Sequence, residues 1–243
     1  MKNSWRIPVI QLVVLGALIL VASSWAQQRA PIGDEIAKAY GLDSWGQIEG
    51  LRYTFNVDLG TIKLSRSWEW EPKTGRVSYK AKDKDGKPVE ATYLRSDLAN
   101  QPANVKSDID PAFMNDQYWL TFPLHVAWDT SATVEDKGTH KLPIGTGTGD
   151  WVVVKYPDGV GYTPGDTWEL FVGPDKRVKA FVYRRGGPTK PSVVIATWKD
   201  YKRVGPLLVA TDHPGTADGK PFRMFFTDVA VKLAGSDTWV PAQ

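Results

Sequence analysis

Leu51-Arg52-Tyr53-Thr54-Phe55-Asn56-Val57-Asp58-Leu59 alternates apolar and polar residues without a break. A period of two sends successive side chains to opposite faces, so this stretch predicts a half-buried β-strand. Downstream, Gly60-Thr61 predicts a turn, and residues 62–70 predict a second strand with Ile62, Leu64, Trp68 and Trp70 on one face. Pro72-Lys73-Thr74-Gly75 and Asp85-Gly86 carry turn chemistry, with Val77-Tyr79-Ala81 and Val89-Ala91-Tyr93 alternating on either side of the latter. Four strands joined by short turns make an antiparallel meander.

Outward from this meander the pattern repeats. Strands are expected over 151–156, 168–172, 177–184, 193–201, 207–211, 222–226 and 229–233, with Gly173-Pro174-Asp175-Lys176 as a hairpin. No linker separates the two halves. The expectation is a mainly β chain: one curved antiparallel sheet or incomplete barrel of about ten strands. Two helices should pack on its concave side. In the first, Ile32, Ile36 and Tyr40 recur every four residues, Asp34 and Glu35 occupy the first turn, and Gly41 stops it. In the second, Asp110 is read as the N-cap and Pro111 as the first helical residue, leading to Phe113, Met114, Tyr118 and Trp119. Residues 94–110 and 145–149 are read as long loops.

The N-terminus reads as an export signal. Lys2 and Arg6 precede an apolar run from about Val9 to Ala22, and Ser24-Trp25-Ala26 predicts cleavage before Gln27. The run is shorter than the roughly 20 residues that span a bilayer, so cleavage is favoured over an uncleaved membrane anchor. This divides the chain into a signal peptide at 1–26 and a single domain at 27–243, with no transmembrane segment in the mature chain. None of the 27 acidic residues precedes residue 27, while Lys2 and Arg6 are two of the 30 basic ones, so the mature chain carries a net charge of +1. That balance gives no reason to expect nucleic acid as a partner. The chain contains no cysteine, which removes disulfides, thiolate metal sites, thiol nucleophiles and a lipidated cysteine. An exported chain without cysteine suits the bacterial periplasm.

Catalytic and metal motifs are missing from the pattern. The glycines at 145, 147 and 149 lead into Trp151-Val152-Val153-Val154, a strand, where a phosphate loop needs a helix N-terminus. Asp83-Lys84-Asp85-Gly86 would need oxygen ligands at Ala81 and Thr92 to be a calcium loop. His125, His140 and His213 show no metal-ligand spacing. Asp212 and His213 are neighbours that an extended chain would point apart, and Pro214-Gly215 is read as a turn. No Gly-x-Ser-x-Gly is present. The expectation is no catalysis, no metal and no cofactor; an enzyme with an unrecognised acid/base pair such as Asp166 and Glu169 ranks third among the readings.

Tryptophan is the compositional anomaly, with nine of the eleven beyond residue 26. One reading is a wide core filled with large rings. The other is a sheet whose concave face holds a ligand on flat apolar side chains. Arg66 shares the face of Ile62, Leu64, Trp68 and Trp70, where a guanidinium needs a partner, water or an open cavity. The candidate ligand-binding residues are therefore Arg66, Trp68, Trp70, Tyr53, Phe55 and Trp119.

The order of features resembles the exported, lipoprotein-carrier-like half-barrels of Gram-negative bacteria, the superfamily of outer-membrane lipoprotein sorting. A first helix ends in Ala39-Tyr40-Gly41-Leu42-Asp43-Ser44-Trp45, and the strand Ile48-Glu49-Gly50-Leu51-Arg52-Tyr53-Thr54-Phe55 follows. A mid-chain helix then separates two meanders, and Tyr156-Pro157 through Asp166-Thr167-Trp168-Glu169-Leu170 precedes the Pro174-Asp175 hairpin. The resemblance implies a curved sheet around helices, an apolar cavity for acyl chains, and a cavity arginine that holds a lid closed, a placement similar to that of Arg66. It implies a periplasmic protein binding an apolar or amphipathic small molecule or acyl chain. The alternative is a cell-envelope module that docks an envelope protein or a glycan on its aromatic sheet face.

Overall fold

The computed structural model describes residues 30–159, 161–187 and 191–243. The predicted export signal lies outside these residues. The first helix, α1 (Ile32–Ala39), buries Ile32 and Ile36, with Tyr40 buried just beyond its end. It stops at Gly41, whose φ of +99° is left-handed and whose missing Cβ would stand 2.7 Å from the Pro206 carbonyl oxygen. A 3₁₀ turn over Leu42–Gln47 then carries Trp45.

The first meander is β1 (Ile48–Asp58), β2 (Lys63–Glu71), β3 (Arg76–Lys82) and β4 (Pro88–Leu94). The long central helix is α2 (Asp110–Trp128). After it come β5 (Thr133–Lys141), β6 (Thr148–Lys155), β7 (Thr167–Val172) and β8 (Val178–Arg184). The chain ends in β9 (Val193–Thr197), β10 (Lys199–Val204), β11 (Leu207–Ala217), β12 (Lys220–Leu233) and β13 (Trp239–Pro241). All belong to one antiparallel sheet in the order β4-β3-β2-β1-β12-β11-β9-β8-β7-β6-β5, with β10 beside β11 and β13 beside β12. It is not closed into a barrel, and β1 pairing with β12 joins the two meanders.

The opening alternation of β1 sets the inner face. Leu51, Trp70, Val77 and Tyr93 form one cross-strand row, and Tyr53, Trp68, Tyr79 and Ala91 the next. Phe55, Arg66, Ala81 and Val89 form a third. Across this face lies α2. Phe113 meets Trp68 and Trp70 at ring distances of 5.5 and 5.6 Å, while Phe122 stacks on Trp168 of β7 at 3.8 Å. From β2 to β7 is six strand steps, roughly 29 Å along a flat sheet at ~4.8 Å each. Phe113 and Phe122 are only about 14 Å apart along the helix, so both contacts form because the sheet curls around it.

Several expectations need correction. The sheet has thirteen strands rather than about ten. The polar edge strand β5 gives no apolar alternation, and the strand expected over 193–201 breaks at Trp198 into β9 and β10. Residues 222–226 and 229–233 are one strand, β12. A bulge at Asp228, with φ of +56°, lets apolar side chains switch from even to odd positions without leaving the inner face. Pro214-Gly215 is no turn but the middle of β11. Proline, lacking an N–H, sits there between the residues paired with β10 and those paired with β9. Residues 95–109 are largely helical turns, 3₁₀ at Arg95–Asn100 and π at Val105–Ile109. The 145–149 stretch is the end of the β5–β6 hairpin and the start of β6. Finally, the Asp110 side chain does not cap α2; it is bonded elsewhere.

Candidate functional site: clamps and clefts around the central helix

The nineteen residues of α2 contain no Lys, Arg or Glu, and both of its carboxylates, Asp110 and Asp116, are fully buried. Each carboxylate is met by an arginine, Arg66 of β2 or Arg95 just past β4. Arg66 donates from Nε to Asp116 Oδ2 at 2.8 Å and from Nη2 to Oδ1 at 2.5 Å. Trp68 Nε1 at 2.8 Å and Asn115 Nδ2 at 3.0 Å complete the shell. Burial raises the Asp116 carboxyl above the usual carboxylate range, and the Arg66 charge and these donors oppose that rise. Asp110 accepts from Arg95 Nε at 2.9 Å, Tyr93 OH at 3.0 Å and Tyr162 OH at 2.7 Å. Two ion pairs therefore fasten α2 to the sheet, one from β2 and one just past β4.

Arg66 stands on the expected face, but its guanidinium is committed to Asp116 and lies 5.3 Å from the Phe55 ring. Tyr53, Phe55 and Trp68 are buried on that same wall. The Tyr53 hydroxyl has no hydrogen-bond partner among the described residues. Trp119, on α2, packs against the opposite wall, 4.7 Å from Trp168 of β7 and 5.2 Å from Tyr183 of β8. Of the six, Trp70 borders a groove along one side of α2, and Trp119 borders a smaller cleft on the other.

That groove, about 280 Å³, runs along one side of α2. Trp45, Trp70, Phe113, Met114 and Trp128 supply most of its lining, with Trp45 5.7 Å from Trp70 and 4.7 Å from Trp128. Its polar members are engaged. Arg95 holds Asp110, and His125 lies between Asp129 at 3.1 Å from Nδ1 and Gln117 Oε1 at 3.0 Å from Nε2. Tyr118 and Tyr156 also donate to Asp129. Burial pushes the Asp129 carboxyl up, but the bonds from His125 and the two tyrosines outweigh it and hold it below the usual range.

A second cleft, about 120 Å³, is lined by Asn115, Tyr118 and Trp119 of α2 and by Tyr162, Asp166, Trp168 and Tyr183. Met114 borders both spaces. Tyr183 donates to Asp166 at 2.8 Å, and Asp166 also accepts from the Gly186 N–H at 2.8 Å. Among the described residues no group of three or more His, Asp or Glu could hold a metal ion, and no helix is long and apolar enough to cross a membrane.

Sequence reasoning did not place Asp110, Asp116, His125, Trp45 or Trp128 among the candidate ligand-binding residues. The available signal was carboxylates set among aromatic residues in a helix without a basic partner of its own, which must draw counter-charges from elsewhere in the fold.

No protein-family model matches the sequence, and no curated protein sequence matches it. Solved structures with a similar chain path exist. A DUF1329 family protein from Desulfovibrio piger has 10% identity and a TM-score of 0.46, covering 85% of this chain and 94% of its own. A Vibrio parahaemolyticus domain assigned to outer membrane lipoprotein sorting has 10% identity and a TM-score of 0.47, covering 85% and 93%. A LolA superfamily protein from Nitrosomonas europaea has 6% identity and a TM-score of 0.46, covering 82% and 91%. At such identities and TM-scores the likeness is one of fold outline alone.

Proposed function

We propose that this protein binds a lipid-like or other apolar ligand between α2 and the inner face of its sheet, without catalysis, in the periplasm. The observation that carries the reading is the groove of Trp45, Trp70, Phe113, Met114 and Trp128. Its polar side chains are occupied by partners inside the protein, which leaves flat apolar surface as what it offers a ligand. Inward from the groove, Trp70 and Phe113 pack together and Phe113 packs on Trp68, on the wall where α2 is fastened.

Buried ion pairs contribute little to stability compared with apolar packing of the same volume. They do fix one arrangement of two surfaces, and such an arrangement can be released. Release of Arg66 and Arg95 from α2 would widen the groove into the sheet face for an acyl chain. The likeness to lipoprotein-sorting proteins agrees with this reading, and transfer of an acylated partner is the fuller form of it.

Native mass spectrometry of protein purified from periplasm, before and after organic extraction, tests the proposal. Retained lipid and saturable uptake of N-phenyl-1-naphthylamine, weakened by Trp70→Ala and Trp128→Ala, are expected. A clean mass with no uptake of the dye would overturn it and leave the envelope docking module as the surviving reading.

A further inference from the structure

The smaller cleft on the other side of Met114 has a chemistry distinct from the groove. Trp168 lines it, is 2% exposed, and its indole N–H finds no acceptor among the described residues. A buried donor without an acceptor is costly, and Trp168 is bordered by a space several times larger than one water needs. The tyrosines beside it have the opposite need. Tyr183, Tyr118 and Tyr162 spend their hydroxyl hydrogens on Asp166, Asp129 and Asp110. Their oxygens can then only accept, and with Arg95 beside Tyr162, Arg185 beside Tyr183 and Thr163 beside Tyr118 each keeps at most one further acceptor position for anything that enters.

The cleft thus combines one unfilled donor with several oxygens restricted to accepting. Asp166 is the one charged side chain that lines it. The nearby cations stand behind the tyrosines: Arg95 Nη2 donates to the Tyr162 hydroxyl, and Arg185 interacts with Tyr183. An anionic head would meet a carboxylate with no lysine or arginine lining the space. A bare ester could accept from Trp168 but could give the tyrosines nothing. A hydroxyl does both.

We infer that the Trp168–Tyr183 cleft binds a neutral, hydroxylated head of glycerol type, so that the ligand is an uncharged amphiphile with its chain in the tryptophan groove and its head beyond Met114. The inference rests on the apolar-ligand reading above and adds the class of head.

The test compares three probes with one chain: 1-monopalmitoylglycerol, palmitate and methyl palmitate, each competed against N-phenyl-1-naphthylamine on the full protein. Monopalmitoylglycerol should bind about tenfold more tightly than either of the others, the size of one or two added hydrogen bonds. Trp168→Phe removes the N–H, and Tyr183→Phe independently removes an accepting oxygen. Each should weaken monopalmitoylglycerol by about fivefold and leave the dye unchanged. Equal binding of the three probes, or tighter palmitate, overturns the inference while dye uptake still upholds the groove. So does an unchanged preference in whichever variant retains dye binding. Failure of the dye and of every palmitoyl probe in the parent overturns the apolar-ligand reading as well.

Discussion

Trp68 and Trp70 lie two residues apart on one face of β2, yet their environments differ. Trp68 is 1% exposed, bonded to Asp116 and packed on Phe113 and Tyr79, whereas Trp70 is half-buried at the groove. Trp68→Ala should cost ~3–5 kcal/mol as a large ring lost from a closed core, and Trp70→Ala less than about 2. Urea unfolding of the two variants measures the difference, and equal losses would mean that the groove is a filled core. His213 is the second residue with a definite forecast. It is fully buried among Trp198, Phe181 and Phe226, and burial lowers its pKa from 6.5 to about 4. The unfolded chain therefore takes up this proton first. Stability is intact above pH 6.5 and falls by roughly 3 kcal/mol as the pH drops toward 4. His213→Leu should flatten the stability profile over that window; an unchanged slope would assign it to other groups.

The pairing of Arg66 with Asp116 is a property of two elements, β2 and α2. Arg66→Met alone strands a fully buried carboxylate and should cost ~3–5 kcal/mol. The double variant Arg66→Met, Asp116→Leu should recover most of that loss, because apolar packing replaces the pair. If the clamp permits release, the double variant should also slow amide exchange in α2 and reduce ligand uptake. Faster exchange with undiminished uptake would argue against a releasable helix. At this scale much was legible in the sequence. The unbroken alternation of 51–59, the four-residue spacing of Ile32, Ile36 and Tyr40, and Pro111 all marked real elements. What was hidden depends on distant partners. Thr133–Lys141 is mostly exposed, so no burial pattern marks it as a strand. The bulge at Asp228 inverts the parity of β12 and splits one strand into two apparent ones. Arg66 could be placed on the inner face by counting residues, but its partner is 50 positions away on a helix, and only the fold brings them together.

For the whole molecule, α1, α2 and strands from both meanders contribute to one contiguous apolar core that runs from Ile32 to Val231. Neither meander has a separate core of comparable size. Urea denaturation should therefore give a single transition, coincident by tryptophan fluorescence and far-UV circular dichroism. Two separable transitions would show that the halves fold independently.

The main path of the unclosed sheet ends at β4 and β5, and either could recruit a strand from another molecule. Both are poorly suited to that. β4 opens with Pro88 and carries Glu90, while β5 bears Glu135, Asp136, Lys137 and Lys141 and a break in register between Asp136 and Thr139. Such borders resist polymerisation. If the central helix loosens to admit an apolar ligand, as proposed above, the aromatic interior is bared for a moment, and these blunted borders would keep that moment from seeding fibres.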